Sequence, residues 1–343
     1  MVITRTPYRI SFFGGGTDYP AWYNKNRGAV LSFALNKYNY ISCRVLPPFF
    51  PYTHRIVYSK TEMTRDIKKI DHPSVRETMR FLGLDKNNQG FEIHHTGDLP
   101  AWSGIGSSAS FTVGLLNGLS AITGEMKPKL KLASEAIHID QNMVGENVGS
   151  QDHVAAAFGG FNKIEFGGSQ KISVTPVQLS SARLNYFRSH LLLFFTNIVR
   201  EASEIAKGWI DNTQKNDKEL NTMLAMVDEG LNILTDKKSS LDEFGKLLHE
   251  AWKIKRGLAP KITTSKIDEI YNEGRRAGAL GGKLLGAGGG GFMLLFAKPE
   301  DHKKIRERLK KFLCIPVDFD FLGSQVIYYS KTDDDSKYGL TKS

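Results

Sequence analysis

The sequence predicts an α+β protein of two domains, and three observations carry that prediction. The first half alternates β-branched and aromatic runs with short helical patterns, the second half is dominated by long helical patterns, and glycine-rich loops punctuate both. A chain of 343 residues with 41% hydrophobic and 24% charged residues has the material for one large core or two ordinary ones. That balance excludes disordered and fibrous classes.

In order along the chain, "YRISFF", "AVLSFALNKYNYISCRVL", "HRIVYS" and "FEIHHT" read as strands, and helical apolar spacing runs from Pro73 to Leu82 and from Ser108 to Ile122. After "KISVTPVQL" and "LLLFFTN" come helical patterns over Ala202 to Ile210, Lys218 to Leu234, Leu241 to Lys255 and Ser265 to Ala277. The strands "GFMLLFA" and "SQVIYYS" close the fold. A boundary in the polar stretch 168–182 divides the chain into residues 1–175 and 176–330, with a polar tail over 331–343.

The longest apolar runs, such as Leu191 to Phe195 and Phe292 to Ala297, fall far short of the roughly 18 residues a membrane span needs. The N-terminus reads as a strand entering a turn and lacks the apolar block of a signal peptide. These features predict a cytoplasmic protein with no membrane partner. Cys43 and Cys314 are too few for a disulfide framework or a thiolate metal site. A formal charge of +10 favours an anionic partner. The densest basic run, "HKKIRERLKKF" from His302, alternates with apolar residues as a solvated helix face does, and no nucleic-acid signature is present.

Three glycine-rich loops stand out: "TPYRISFFGGGTDYP" at 6–20, "DLPAWSGIGSSAS" at 98–110 and "GGKLLGAGGGGF" at 281–292. Glycines allow positive φ and close backbone approach, so such loops can turn successive N–H groups toward an anion. The second has the best physical case, because it runs into a helix, with Phe111, Leu115, Leu119 and Ile122 at helical spacing and Gly124 as a stop. Its unpaired N–H groups and the helix dipole favour phosphate. A capped turn, with Ser107 as the cap, accounts for that segment alone equally well. Gly286 to Gly291 spells GxGxxG but precedes a strand, which excludes a dinucleotide fingerprint there. Gly104 to Ala109 spells GxGxxA and opens a helix, leaving a dinucleotide-dependent dehydrogenase as an alternative. A Walker loop is absent, because Leu284 follows Lys283 where a hydroxyl is required.

Phosphoryl transfer to a hydroxyl requires a triphosphate cradle, oxygen ligands for magnesium, a proton acceptor and a cation. Asp18, Asp140, Asp152 and Arg9 are candidates, although each aspartate alone also fits a helix cap or a surface group. The three loops, in this order, resemble the three signature motifs of the GHMP kinases, the superfamily of galactokinase, homoserine kinase, mevalonate kinase and phosphomevalonate kinase. "SFFGGGTD", "GSQDHVAAAFGGFN" and "TNIVREASEI" resemble the branch of sugar 1-kinases that act on D-glycero-D-manno-heptose 7-phosphate, with L-fucokinase as a near relative.

The resemblance implies a two-domain GHMP kinase fold, with an N-terminal domain like the second domain of ribosomal protein S5 and a ferredoxin-like C-terminal domain carrying extra helices. It implies ATP and Mg2+ as cofactors and a small-molecule sugar phosphate as substrate, and leaves a homodimer open. Asp152 matches the catalytic aspartate and Arg9 the basic residue that stabilises the transferring phosphoryl. Ser103, Gly104, Ile105, Gly106, Ser107 and Ser108 would hold the ATP phosphates, and Asp140 with Ser108, or else Ser107, would hold magnesium. Gly15, Gly16, Thr17, Asp18, Gly288 and Gly289 would meet the sugar. A substrate phosphate would need a cation, for which Arg200 is preferred over Arg27, Lys37 and Arg183. Gly15 and Gly16 stand where galactokinases carry a Glu-His pair, which disfavours galactose. The expected reaction gives heptose 1,7-bisphosphate for nucleotide-heptose biosynthesis. The alternatives are a kinase for L-fucose or another hexose, or a non-catalytic sugar and ATP sensor.

Overall fold

The computed structural model describes residues 1–86, 89–168, 171–199, 208 and 215–330. The expected helix over 202–210, apart from Gly208, and the expected tail over 331–343 lie outside the described residues. The first half contains β1 (Val2–Phe13), α1 (Pro20–Tyr23), β2 (Gly28–Leu46), β3 (His54–Val57), β4 (Thr61–Thr64), α2 (Pro73–Phe81), β5 (Gly90–Gly97), α3 (Ser107–Ile122), α4 (Lys129–His138), α5 (Gln151–Phe158), β6 (Phe161–Phe166) and β7 (Ile172–Pro176). The second half contains α6 (Ser181–Arg188), β8 (Leu191–Phe195), α7 (Asp217–Thr235), α8 (Leu241–Gly257), α9 (Ser265–Arg276), β9 (Gly281–Leu284), β10 (Phe292–Phe296), α10 (His302–Arg308), β11 (Cys314–Ile315) and β12 (Gln325–Tyr329). The α+β expectation holds.

An eight-stranded sheet follows the order β12-β1-β2-β5-β3-β4, with β6 on β2 and β7 on β6. The long strand β2 pairs antiparallel with β1, β5 and β6, because its 19 residues outrun any single neighbour. A parallel doubly wound sheet of the dinucleotide type is therefore not what carries the second glycine loop. The second sheet, β11-β8-β10-β9, is antiparallel throughout. β12 departs from the expected division at residue 175, since Gln325–Tyr329 pairs antiparallel with β1 and returns the chain to the first sheet. The third glycine stretch also departs from a pure loop, because Gly281–Leu284 forms β9, fully buried.

α3 is apolar on all sides and is accordingly buried along nearly its whole length. Phe111, Leu115 and Leu119 pack with Ile41, Ile93 and Met79, while Val113 and Leu116 face α4 and α5 through Leu132, Ala136 and Val154. The two halves share a core. Phe12 on β1 meets Phe244 on α8 edge-on at 5.2 Å and Phe187 on α6 at 5.4 Å, and Phe187 meets Phe244 at 5.0 Å. This aromatic seam fixes the first glycine loop against the second half.

Candidate active site

A cavity opens where the three glycine loops converge, and its wall includes Arg9, Asp18, Gly104, Gly106, Ser107, Ser108 and Asp152. β1 delivers Arg9, whose backbone N–H donates to Ile105 O at 3.0 Å and ties the first loop to the second. The first turn of α5 delivers Asp152. The two meet in a bidentate pair: Arg9 Nε donates to Asp152 Oδ1 and Nη2 to Oδ2, both at 2.6 Å, and Nη1 donates to Gly104 O at 2.8 Å. Paired donors of this kind fix orientation as well as charge. Arg9 is thereby held in one place by both the carboxylate and the second glycine loop.

The second loop reaches α3 through Gly106, at φ 75°, whose added Cβ would stand 3.3 Å from both Arg9 Cγ and Asp152 Oδ2. Only glycine gives that backbone turn without strain and lets the loop lie on the ion pair. Gly104 interlocks with the third loop, since a Cβ on Gly286 would fall 2.5 Å from Gly104 Cα. The Ser107 hydroxyl accepts from Trp102 N–H at 3.3 Å and closes the loop onto itself. This replaces the expected helix cap, because the capping position is Gly106.

Asp18 is buried in the wall of the cavity. Its carboxylate accepts from Gly16 N–H at 2.9 Å and Gln151 N–H at 3.4 Å. Burial, and then the negative charge of Asp152, push its pKa up to about 6 against the pull of those amides. Gly15 and Gly16 also line the cavity.

Several expected site residues sit elsewhere. Thr17 is buried, its hydroxyl 2.8 Å from Gly14 O and 2.9 Å from Ala29 O, and it staples the turn instead of facing the cavity. Ser103 donates its hydroxyl to Pro100 O at 2.6 Å, and the Ile105 side chain is in the core, so neither side chain lines the cavity. Gly288 and Gly289 pack on Ile262, whose O accepts from Gly289 N–H at 2.8 Å, while Gly286 and Ala287 take the cavity wall. Arg200 lies outside the described residues. Arg27 pairs with Glu165 on the surface, Arg183 donates to carbonyls at the end of α7, and Lys37 lies away from this cavity.

The expected magnesium ligand Asp140 is also displaced. It is wholly buried, Thr112 Oγ1 donates to Oδ1 at 2.9 Å, and His153 Nε2 lies 2.8 Å from Oδ2. Both oxygens are thus engaged inside the packing of α3 against α5, and Asp140 is absent from the cavity wall. Among the described residues no group of three His, Cys, Asp or Glu converges as a metal site. The Ser108–Asp140 pair does not fit a magnesium ion in this arrangement.

Two charged cavity residues were not among the expected site residues. Lys255 on α8 donates to Leu284 O at 2.9 Å and Gly286 O at 2.5 Å, and Lys283 on β9 donates to Phe12 O at 2.8 Å. Both line the cavity. Burial, and then the charge of Arg9, bring Lys283 down to about 7, while burial and Lys283 hold Lys255 well below the usual lysine range. The signal was present: Lys255 continues the buried face of Leu248, Ala251 and Trp252 at helical spacing.

The GHMP kinases N terminal domain family matches residues 73–160, and the GHMP kinases C terminal family matches residues 233–313. D-glycero-alpha-D-manno-heptose 7-phosphate kinase of Campylobacter jejuni is 27% identical over 93% of this chain and 96% of its own length. Bifunctional fucokinase/GDP-fucose pyrophosphorylase of Arabidopsis thaliana is 24% identical over 89% of this chain, which spans 31% of that protein. Among solved structures, a D-glycero-D-manno-heptose 1-phosphate kinase from "Bacteriodes thetaiotaomicron" superposes with TM-score 0.77 at 22% identity, over 96% of this chain and 100% of that one. Lactococcus lactis galactokinase with galactose gives TM-score 0.74 at 17% identity, over 95% of each chain. The chain carries both halves of the family in order, with the glycine loops and the Arg9–Asp152 pair at their junction, and it belongs to the GHMP kinases, phosphotransferases with a hydroxyl acceptor.

Proposed function

We propose that the protein transfers the γ-phosphoryl group of ATP to the anomeric hydroxyl of D-glycero-D-manno-heptose 7-phosphate, giving the 1,7-bisphosphate. The bidentate Arg9–Asp152 pair, lying beneath Gly106 of the phosphate loop and in the same cavity as Asp18, is the observation that carries this reading. The N–H groups at the start of α3, with Gly104, Gly106, Ser107 and Ser108, would cradle the ATP phosphates. Asp18, Gly15 and Gly16 would face the sugar.

Arg9 occupies one edge of each Asp152 oxygen, and a carboxylate keeps further lone pairs for the acceptor hydroxyl. In the transfer the sugar oxygen forms its bond to the γ-phosphorus as the bond to the β–γ bridging oxygen breaks. The hydroxyl proton passes to Asp152 and ADP leaves. Arg9 stabilises the charge gathering on the phosphoryl oxygens. Likeness to the heptose 7-phosphate kinase over 93% of the chain supports the acceptor, and likeness to the fucokinase keeps L-fucose as the comparison substrate. ADP release measured with heptose 7-phosphate, L-fucose, galactose and mannose tests the proposal. Turnover of heptose 7-phosphate above the others is expected. Preference for L-fucose would overturn the acceptor assignment.

A further inference from the structure

We infer that Lys255 and Lys283 form a phosphate-binding subsite at the seam between the donor and acceptor sides of the cavity. The inference rests on the kinase reading and deepens it. An ammonium group has three N–H donors. Lys255 spends two on Leu284 O and Gly286 O, Lys283 spends one on Phe12 O, and the remaining donors belong to amines on the cavity wall.

Their acceptors are all backbone carbonyls, and among the described residues neither lysine forms an ion pair. The residues are only 9% and 3% exposed. Two uncompensated cations this deep are costly unless a ligand brings negative charge to them. The charged groups around them do not supply it. Arg9 is already matched by Asp152, which among the described residues leaves one carboxylate, Asp18, against two amines.

Position narrows the ligand to a phosphate carried by a substrate. Gly286, whose carbonyl holds Lys255, packs on Gly104 of the donor loop, and Phe12, whose carbonyl holds Lys283, leads into the turn that bears Gly15, Gly16 and Asp18. A dianionic phosphate between the amines would take their free donors and raise their proton affinity. The acceptor's own phosphate and the terminal phosphate of the nucleotide share this chemistry, and separate titrations distinguish them.

The test uses calorimetric titration of heptose 7-phosphate and of a non-hydrolysable ATP analogue into wild type, Lys255→Met and Lys283→Met, with thermal melts as a folding control. A fall of about tenfold or more in affinity for either ligand supports the subsite, a size expected for lost charge-assisted hydrogen bonds. A fall confined to the sugar phosphate assigns the acceptor's phosphate, and one confined to the nucleotide assigns the terminal phosphate. Folded variants that bind both ligands within about twofold of wild type, below 0.5 kcal/mol, overturn it.

Sulfate provides a second arm in the unmodified protein, because its charge does not change near neutral pH. Titrated at about pH 8 in two buffers of different ionisation enthalpy, above the Asp18 range, it should bind with proton uptake as an amine becomes charged. Sulfate that fails to bind overturns the subsite even if a variant fails to fold. If heptose 7-phosphate is not a substrate, the acceptor assignment fails while the sulfate result still decides the subsite.

Discussion

Asp18→Asn removes a charge from a place the fold makes expensive. Asp18 is wholly buried, and its pKa stands at about 6 against an ordinary 3.8, so the unfolded chain gives up its proton more readily than the folded one. A raised carboxyl pKa means that the folded state holds more protons between those values, and stability falls as pH rises through them. At about 1.36 kcal/mol per pKa unit the penalty reaches roughly 3 kcal/mol at pH 7, with about 2 kcal/mol of it developing between pH 4.5 and 7. Asparagine keeps an acceptor for Gly16 N–H at 2.9 Å but loses the longer bond from Gln151 N–H. That loss costs about 1 kcal/mol. Asp18→Asn should therefore match wild type near pH 4.5 and exceed it by about 2 kcal/mol at pH 7, as read from urea unfolding at a series of pH values. Acceptor KM should rise in the same variant, because a stabilised site has lost the charge that meets the sugar. A stability difference that stays flat to within about 0.5 kcal/mol across this range would refute the buried-charge argument.

Asp152→Asn should lower kcat by at least about 100-fold while leaving the affinity for an ATP analogue nearly unchanged, and a near wild-type rate would remove Asp152 from proton transfer. Gly106→Ala forces a Cβ into a φ of 75° and to 3.3 Å from Arg9 and Asp152. Strain of about 1–2 kcal/mol is expected with a kcat loss of tenfold or more, and a lowered melting temperature with unchanged kcat would show that the ion pair tolerates displacement. Asp140→Asn should cost roughly 1–3 kcal/mol of stability through its bonds to Thr112 and His153, with the magnesium dependence of the rate unmoved. A rise of about tenfold in the magnesium concentration for half-maximal rate would instead make Asp140 a metal ligand.

The parts of the site legible in the sequence are those where local chemistry is the constraint. Gly104 and Gly106 must be glycine because their backbones turn to positive φ, and the helix that follows is marked by Phe111, Leu115 and Leu119. Arg9 and Asp152, 143 residues apart, are each legible through motif resemblance, but no local pattern pairs them, and their contact depends on β1 lying beside α5. Asp140 was misplaced for a related reason. Twelve residues from Asp152 in sequence, it follows α4 in an irregular helical turn that points it back at His153, a direction no spacing rule supplies. β12 was read as a strand, but its return to β1 depends on long-range pairing.

The lysines show why charge alone is a poor guide to ligand. The formal charge of +10 spreads over many exposed side chains, where water screens each one and no particular anion is selected. Lys255 and Lys283 contribute little to that count. What makes them consequential is burial beside one carboxylate that is itself held against its ordinary ionisation. The cavity wall carries a matched pair, Arg9 with Asp152, plus two amines against Asp18. Each of these last three is individually unfavourable, and a fold that keeps all of them in one cavity spends stability there. At the proposed subsite a phosphate-bearing ligand would offset that cost for the lysines, whereas a neutral sugar would not. On this electrostatic ground the cavity is built for charged substrates on its acceptor side as well as its donor side if the sugar phosphate titration is the one the lysine variants weaken.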